Sequence, residues 1–199
     1  MRGLTVFCLA AGPTGSLVAT TLWTDGRYGT AGGTVLVLAM TLWCFGLVGL
    51  MERVRPAAPR IAPVLLLYLL FGVTGGMAFG FQGFFEAVFG ANAAESLDAL
   101  AVHPLESTLL LWIPGPMMPT GLLLLAILLA WRRLVPLWTA GLLALGGIAF
   151  PLSRIPRIDL VAYLADGLIV IAFAAIAGFL VTGRLDRAVA AAAGRDHRA

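Results

Sequence analysis

The chain reads as an all-α integral membrane protein, a six-transmembrane-helix bundle with a proline-broken fourth helix. Three observations carry that reading. First, 60% of the 199 residues are hydrophobic and 12% are charged. That charged share is about half the usual soluble value, so the bulk of the chain must face lipid. Second, the apolar residues fall into six long runs, at 4–23, 33–51, 61–83, 107–131, 134–152 and 159–182. Third, all 13 basic residues are arginines, and they sit between the runs.

With six spans, one side of the membrane carries Arg2, Arg53, Arg55, Arg60, Arg132, Arg133, Arg184, Arg187, Arg195 and Arg198. The other side carries Arg27, Arg154 and Arg157. By the positive-inside rule this bias puts both termini in the cytoplasm. An odd number of spans would scramble it. Arginine without lysine suggests a high-GC genome, and the expected location is a bacterial inner (plasma) membrane, multi-pass. The net charge of +3 is explained by these helix ends. The lipid bilayer is therefore the expected partner and nucleic acid is not.

Taken in order, the first run follows Arg2 and is interrupted by Gly12, Pro13 and Gly15. A cleaved signal peptide would show a shorter apolar region and a small-residue cleavage site, so a retained first helix is expected. The segment TDGRYGTAG at 24–32 is turn chemistry. The loop ERVRPAAPR at 52–60 leads to a third span carrying Gly72, Gly75, Gly76 and Gly80, small residues that let a neighbouring helix approach closely. Residues 84–106 form the long outer loop, with Glu86, Glu95, Asp98 and His103 and no basic residue. Within it, 93–102 places acids and apolar residues at helical spacing, which predicts a short interfacial helix. Only Arg132 and Arg133 separate the fourth span from the fifth, a tight hairpin. SRIPRI at 153–158 leads to Asp159, a cap for the sixth span. The membrane domain thus covers 1–183, and the alanine- and arginine-rich 184–199 reads as a disordered cytoplasmic tail.

The stretch the rest is organised around is HPLESTLLLWIPGPMMPTG, at 103–121. Each interior proline removes a backbone donor and frees a carbonyl. In hydrocarbon those groups cost several kcal/mol unless satisfied, so the prolines are expected to face the bundle or a wet cavity. Pro119-Thr120-Gly121 matches Pro13-Thr14-Gly15, and Pro59-Arg60-Ile61 matches Pro156-Arg157-Ile158. The matches fall at equivalent places in spans one to three and four to six. Read as a 3+3 inverted repeat, they follow a recurrent transporter plan whose broken helices line the site. A narrow alphabet of Ala, Leu, Gly, Pro and Arg also produces short matches by chance.

The candidate site residues follow. Asp166 lies two turns inside the sixth span, where a carboxylate costs about 2.5–3.5 kcal/mol on insertion scales and is usually paired or functional. Tyr163 is three residues earlier, and the candidate partners are Arg154, Arg157 and His103. His103 and Glu106 stand three apart where the fourth span begins, a spacing that suits a shared proton and equally a solvated helix start. Thr14 and Thr120 mark the two helix breaks, with Met117 and Trp112 as adaptable or aromatic lining. Cys8 and Cys44 lie in apolar runs and read as packing residues. Two cysteines and two histidines argue against a metal site, and no cofactor or catalytic residue is expected.

Pro114-Gly115-Pro116 is similar to a motif of small amino-acid exporters, where it opens the first helix. Pro104-Leu105-Glu106 is similar to one of membrane carotenoid cyclases, which carry more acidic residues there. Each covers three residues, and no role is carried over from either. The sequence favours a small-solute transporter or channel-like protein with its site at the broken helices. One alternative is a non-catalytic accessory or assembly subunit, acting as a homo-oligomer or with a partner membrane subunit. Another is an intramembrane enzyme on a lipid or isoprenoid using Glu106 and Asp166.

Overall fold

An α-helix rises about 1.5 Å per residue, so about 20 apolar residues cross a hydrocarbon core of about 30 Å. In a computed structural model, which describes residues 1–24, 26–154 and 158–196, six helical spans meet that length and apolarity. Arg157 and Pro156 of the second Pro-Arg-Ile match, and tail residues 197–199, lie outside the described residues. The first three spans are built on α1 (Arg2–Thr21), α2 (Gly29–Val54) and α3 (Ile61–Phe89). Two short helices follow, α4 (Ala93–Ala101) and α5 (Pro104–Ser107). The fourth span continues through a π-helical turn (Thr108–Trp112) into α6 (Pro114–Trp131), and α7 (Leu137–Arg154) and α8 (Asp159–Val181) complete the set. A last helix, α9 (Arg184–Asp196), replaces the expected disordered tail. No strand forms among the described residues.

The long helices close into a ring. α1 packs on α2, α2 on α3, α3 on α6, α6 on α7, α7 on α8, and α8 returns against α1. Glycines set the closest approaches. A Cβ on Gly33 would sit 2.5 Å from the Gly80 carbonyl oxygen, so α2 and α3 meet backbone to backbone. A Cβ on Gly72 would sit 2.5 Å from the Met118 nitrogen, and one on Gly75 2.6 Å from the Pro114 carbonyl carbon. The glycines of the third span thus receive α6 and α2, as their spacing suggests. Trp43 of α2 and Phe173 of α8 fill the middle edge to face, with centroids 5.3 Å apart. Outward-facing Leu38, Phe45, Val64, Leu67, Ile127 and Ile171 are exposed, a surface only lipid or another membrane chain would cover.

The ends depart from expectation at α3 and at the tail. α3 runs past residue 83 to Phe89, where Gly90 at φ +68° stops it and the Ala91 N–H bonds the Glu86 carbonyl. At 29 residues it is about 43 Å long, so its end stands beyond the hydrocarbon. The expected interfacial helix is α4, opened by a capping box in which Asn92 and Glu95 satisfy each other's backbone donors. In the fourth span, Pro114 opens α6, where a missing N–H is tolerated, and Pro119 lies inside it. Pro114 and Pro119 are buried, whereas Pro116 is exposed.

The tail departs most. Alanine is the strongest helix former, and Leu185, Val189 and Ala192 at helical spacing give α9 one buried face. Gly183 at φ +68° turns the chain out of α8, and α9 packs on α8, on the end of α2 and on the 3-10 turn Arg55–Ala57. Asp186 pairs with Arg2 at 3.3 Å and Arg53 at 3.4 Å, and Arg195 reaches the Arg132 carbonyl oxygen. α9 therefore lies across the end of the bundle that holds both termini, here called the terminal end. The opposite, distal end carries the α1–α2 turn, α4, the end of α7 and the start of α8.

Candidate functional site

Asp166 is 2% exposed, the only fully buried carboxylate among the described residues. It shares the inner face of α8 with Ala162, Ala165 and Ile169, all buried. A charge there needs partners. Arg154, the last residue of α7, supplies the first: its Nη2 donates to Asp166 Oδ2 at 2.9 Å and Oδ1 at 3.1 Å. Thr20, in the last turn of α1, supplies the second. Its hydroxyl donates to Asp166 Oδ2 at 2.6 Å and accepts from Arg154 Nη2 at 3.0 Å. One carboxylate thus ties three helices together near the distal end.

The guanidinium also stands against two aromatic rings. Its carbon lies 4.7 Å from the Trp23 ring centroid and 4.5 Å from that of Phe150, an arrangement in which two π-faces stabilise a desolvated cation. Phe150 lies one helical turn before Arg154 on α7, and Trp23 follows α1 in a turn where its N–H bonds the Thr20 carbonyl, which brings each ring to its polar neighbour. Arg154 Nη1 also donates to Ser153 Oγ at 3.3 Å, while its Nε has no partner. Tyr28 stands edge-on to Trp23, with centroids 5.4 Å apart. Burial pushes its phenol pKa up; the positive charge of Arg154 opposes that shift, and Asp166 adds to it.

The other predicted site residues do not join this cluster. No hydrogen bond, ion pair or ring contact among the described residues links any of them to Asp166. Tyr163 is 38% exposed on the outer side of α8. His103 and Glu106 are exposed at the start of α5, beside α4. Trp112 is exposed at the edge of an apolar notch of about 170 Å³ between α4 and the π-helical turn. Met117 is half-buried, and its neighbour Met118 is the residue packed on Gly72. Thr14 is exposed and bonds the Ala10 carbonyl at 2.8 Å. Thr120 is exposed too, bonding the Pro116 carbonyl at 2.7 Å and the Tyr68 hydroxyl at 2.8 Å. Cys8 and Cys44 are free thiols.

A second cleft, of about 450 Å³, opens at the distal end between the α1–α2 turn and the ends of α3 and α4. Its walls include Arg27, Tyr28, Glu86 and Asn92. Arg27 is committed to the Ala91 carbonyl at 3.1 Å, and Glu86 to Gln82 at 2.9 Å. Tyr28 is the one residue that both lines this cleft and faces the ion pair.

Sequence reasoning named Asp166 and put Arg154 among its partners. It missed Thr20, Trp23, Tyr28 and Phe150. The available signal was spacing: a tryptophan three residues after a threonine, and a phenylalanine four before an arginine, share one helical face.

Fold and site together define a multi-pass helical membrane protein with a caged ion pair at one end of its bundle. No protein-family model, curated protein or solved structure matches the chain.

Proposed function

We propose that the protein is a non-catalytic accessory or assembly subunit of a larger membrane complex. In this reading it sits in a bacterial inner membrane with the terminal end in the cytoplasm, as the arginine bias favours. The observation that carries it is the closure of Asp166. Its two oxygens are taken by Arg154 and Thr20, which leaves no unpaired buried carboxylate among the described residues for a solute, an ion or a proton relay. Glu106 and Thr120 stand apart from it, and Trp43 and Phe173 occupy the middle of the ring.

The transporter reading, with its 3+3 repeat and proline-broken fourth helix, keeps one supporting observation: the closed ring of six helices is compatible with two inverted halves. Against it, Gly15 packs on Ala39 of α2, whereas Gly121 packs on Leu69 and Tyr68 of α3. An inverted repeat pairs α2 with α7, so Gly121 should have met α7. The enzyme reading needs Glu106 and Asp166 in one site, and they lie in different parts of the distal end.

The test has two arms. Purified protein in sealed liposomes should show no proton or small-solute flux above that of empty liposomes. Protein extracted with its native lipids should run as a stoichiometric hetero-complex by native mass spectrometry. Flux abolished by Asp166→Asn in a folded variant would overturn the accessory reading in favour of transport.

A further inference from the structure

The terminal end carries Arg2, Arg53, Arg55, Arg60, Arg132, Arg133, Arg184, Arg187 and Arg195 against Glu52, Asp186 and Asp196. Most of these charges are not neutralised by the chain itself. Arg55, Arg60, Arg133, Arg184 and Arg187 are exposed and make no ion pair among the described residues. Their placement is not scattered. Arg53 at the end of α2 reaches Asp186 near the start of α9, and the 3-10 turn that begins two residues later with Arg55 packs on α9. Two guanidinium groups converge at Gly183: the position of a Cβ there has Arg2 Nη2 at 3.6 Å and Arg187 Nη1 at 3.7 Å. Arg2 is held there by Asp186 and by the Leu180 and Val181 carbonyls at the end of α8, whereas Arg187 makes no ion pair among the described residues. Asp186 sits in this corner but already serves both Arg2 and Arg53.

The apolar face of α9 is also committed. Leu185, Val189 and Ala192 are buried against the bundle, so the helix turns Arg184 and Arg187 outward instead of inserting into lipid. Trp131 and Trp138 are 62% and 55% exposed at this same end. Tryptophans so placed mark the headgroup level of a bilayer. Arginine presents a planar fork of donors that matches phosphate oxygens two at a time.

We propose that the α9 corner, built by Arg55, Arg184 and Arg187 beside the Arg2–Asp186 pair, is a docking surface for the phosphate of an anionic phospholipid. The lipid comes from the surrounding bilayer and lies with its headgroup against the start of α9. It would fix α9 against the bundle from outside, as Leu185 does from inside. This inference does not depend on the accessory or transporter reading.

The experiment places the full chain in nanodiscs of mixed phosphatidylglycerol and phosphatidylethanolamine, then counts retained lipids by native mass spectrometry. Phosphatidylglycerol should be enriched over phosphatidylethanolamine, and the enrichment should fall as salt rises, because exposed charges are screened. Each arginine near an anionic surface contributes about fivefold. The triple variant Arg55→Gln, Arg184→Gln, Arg187→Gln should therefore lose at least that factor while keeping the helical circular-dichroism signal. If that variant does not fold, the salt series on the unmodified chain decides alone. Equal retention of the two lipids, or enrichment indifferent to salt, overturns the proposal. So does an enrichment abolished by millimolar inorganic phosphate at constant ionic strength, which would mark a site for the free anion.

Discussion

The distal and terminal ends of the bundle use the same two charge types in opposite ways. At the distal end one carboxylate and one guanidinium are withdrawn from water, closed on each other and on Thr20, and covered by Trp23 and Phe150. At the terminal end Asp186 bridges Arg2 and Arg53 with every partner at least a quarter exposed, and Arg55, Arg60, Arg133, Arg184 and Arg187 make no ion pair among the described residues. Depth is the physical difference. A charge two turns inside an apolar helix must be neutralised by the protein itself, whereas a charge at the headgroup level can be left for lipid or water. The buried pair therefore fixes helix positions, and the exposed set is available to the surroundings.

The strongest way to break this comparison is to remove one member of the buried pair. Asp166→Leu strands a desolvated guanidinium, and Arg154→Met strands a carboxylate. Each should cost about 3–5 kcal/mol, the usual penalty for an uncompensated buried charge. The double replacement Asp166→Leu with Arg154→Met should recover more than half of that loss, because a packed apolar pair replaces an ionic one at little net cost. Reversible unfolding in bicelles would measure all three. Strictly additive losses would mean that the two residues do not act as a pair.

The buried pair was partly legible in the sequence. A carboxylate in YLADGLIVI stands out because nothing else there is charged, and Arg154 lies at the mouth of the same helix hairpin. Thr14 and Thr120 do not join the pair, and their hydroxyls are satisfied within their own helices. A threonine inside a helix satisfies its hydroxyl with the carbonyl four residues back, as both do here, so it requires no cavity. The six spans were legible because long apolar runs need no periodicity to be recognised. α9 was not, because alanine is only weakly hydrophobic. Three residues, Leu185, Val189 and Ala192, carry its entire buried face.

At the terminal end the balance should be reversed, with packing outweighing charge. Leu185 is fully buried, and Leu185→Ala should cost α9 about 2–3 kcal/mol of its attachment, toward the low end for large-to-small replacements because the site is near water. Asp186→Asn breaks two pairs but should cost no more than about 1 kcal/mol, since such pairs are solvated and screened. Hydrogen exchange of the α9 amides separates the two: Leu185→Ala should accelerate exchange along the whole helix, and Asp186→Asn should leave most of its protection in place. Equal acceleration by both would show that ion pairing, and not packing, holds α9.

The smallest effect concerns Tyr28 and sharpens the electrostatic side of the comparison. Its residue is half-buried, and desolvation is the largest influence on its phenol, raising the pKa above the ordinary tyrosine value of about 10. Arg154 works against this by favouring phenolate, and Asp166 works with it. The sign for stability follows from proton counting. Above the ordinary value the unfolded chain has lost a proton that the folded chain still holds, so stability falls as pH rises through that window and is fully present below it. Absorbance of phenolate during alkaline titration, taken as the difference between the unmodified chain and Tyr28→Phe, isolates this one group. The component should appear later than a free tyrosine. In an Arg154→Met background it should come later still, because the neighbour that eases ionisation is gone. A component at or below the ordinary value would mean that water reaches the phenol freely. The distal cluster would then be open to solvent through the cleft beside Arg27 and Glu86, and no longer a closed counterpart to the terminal end.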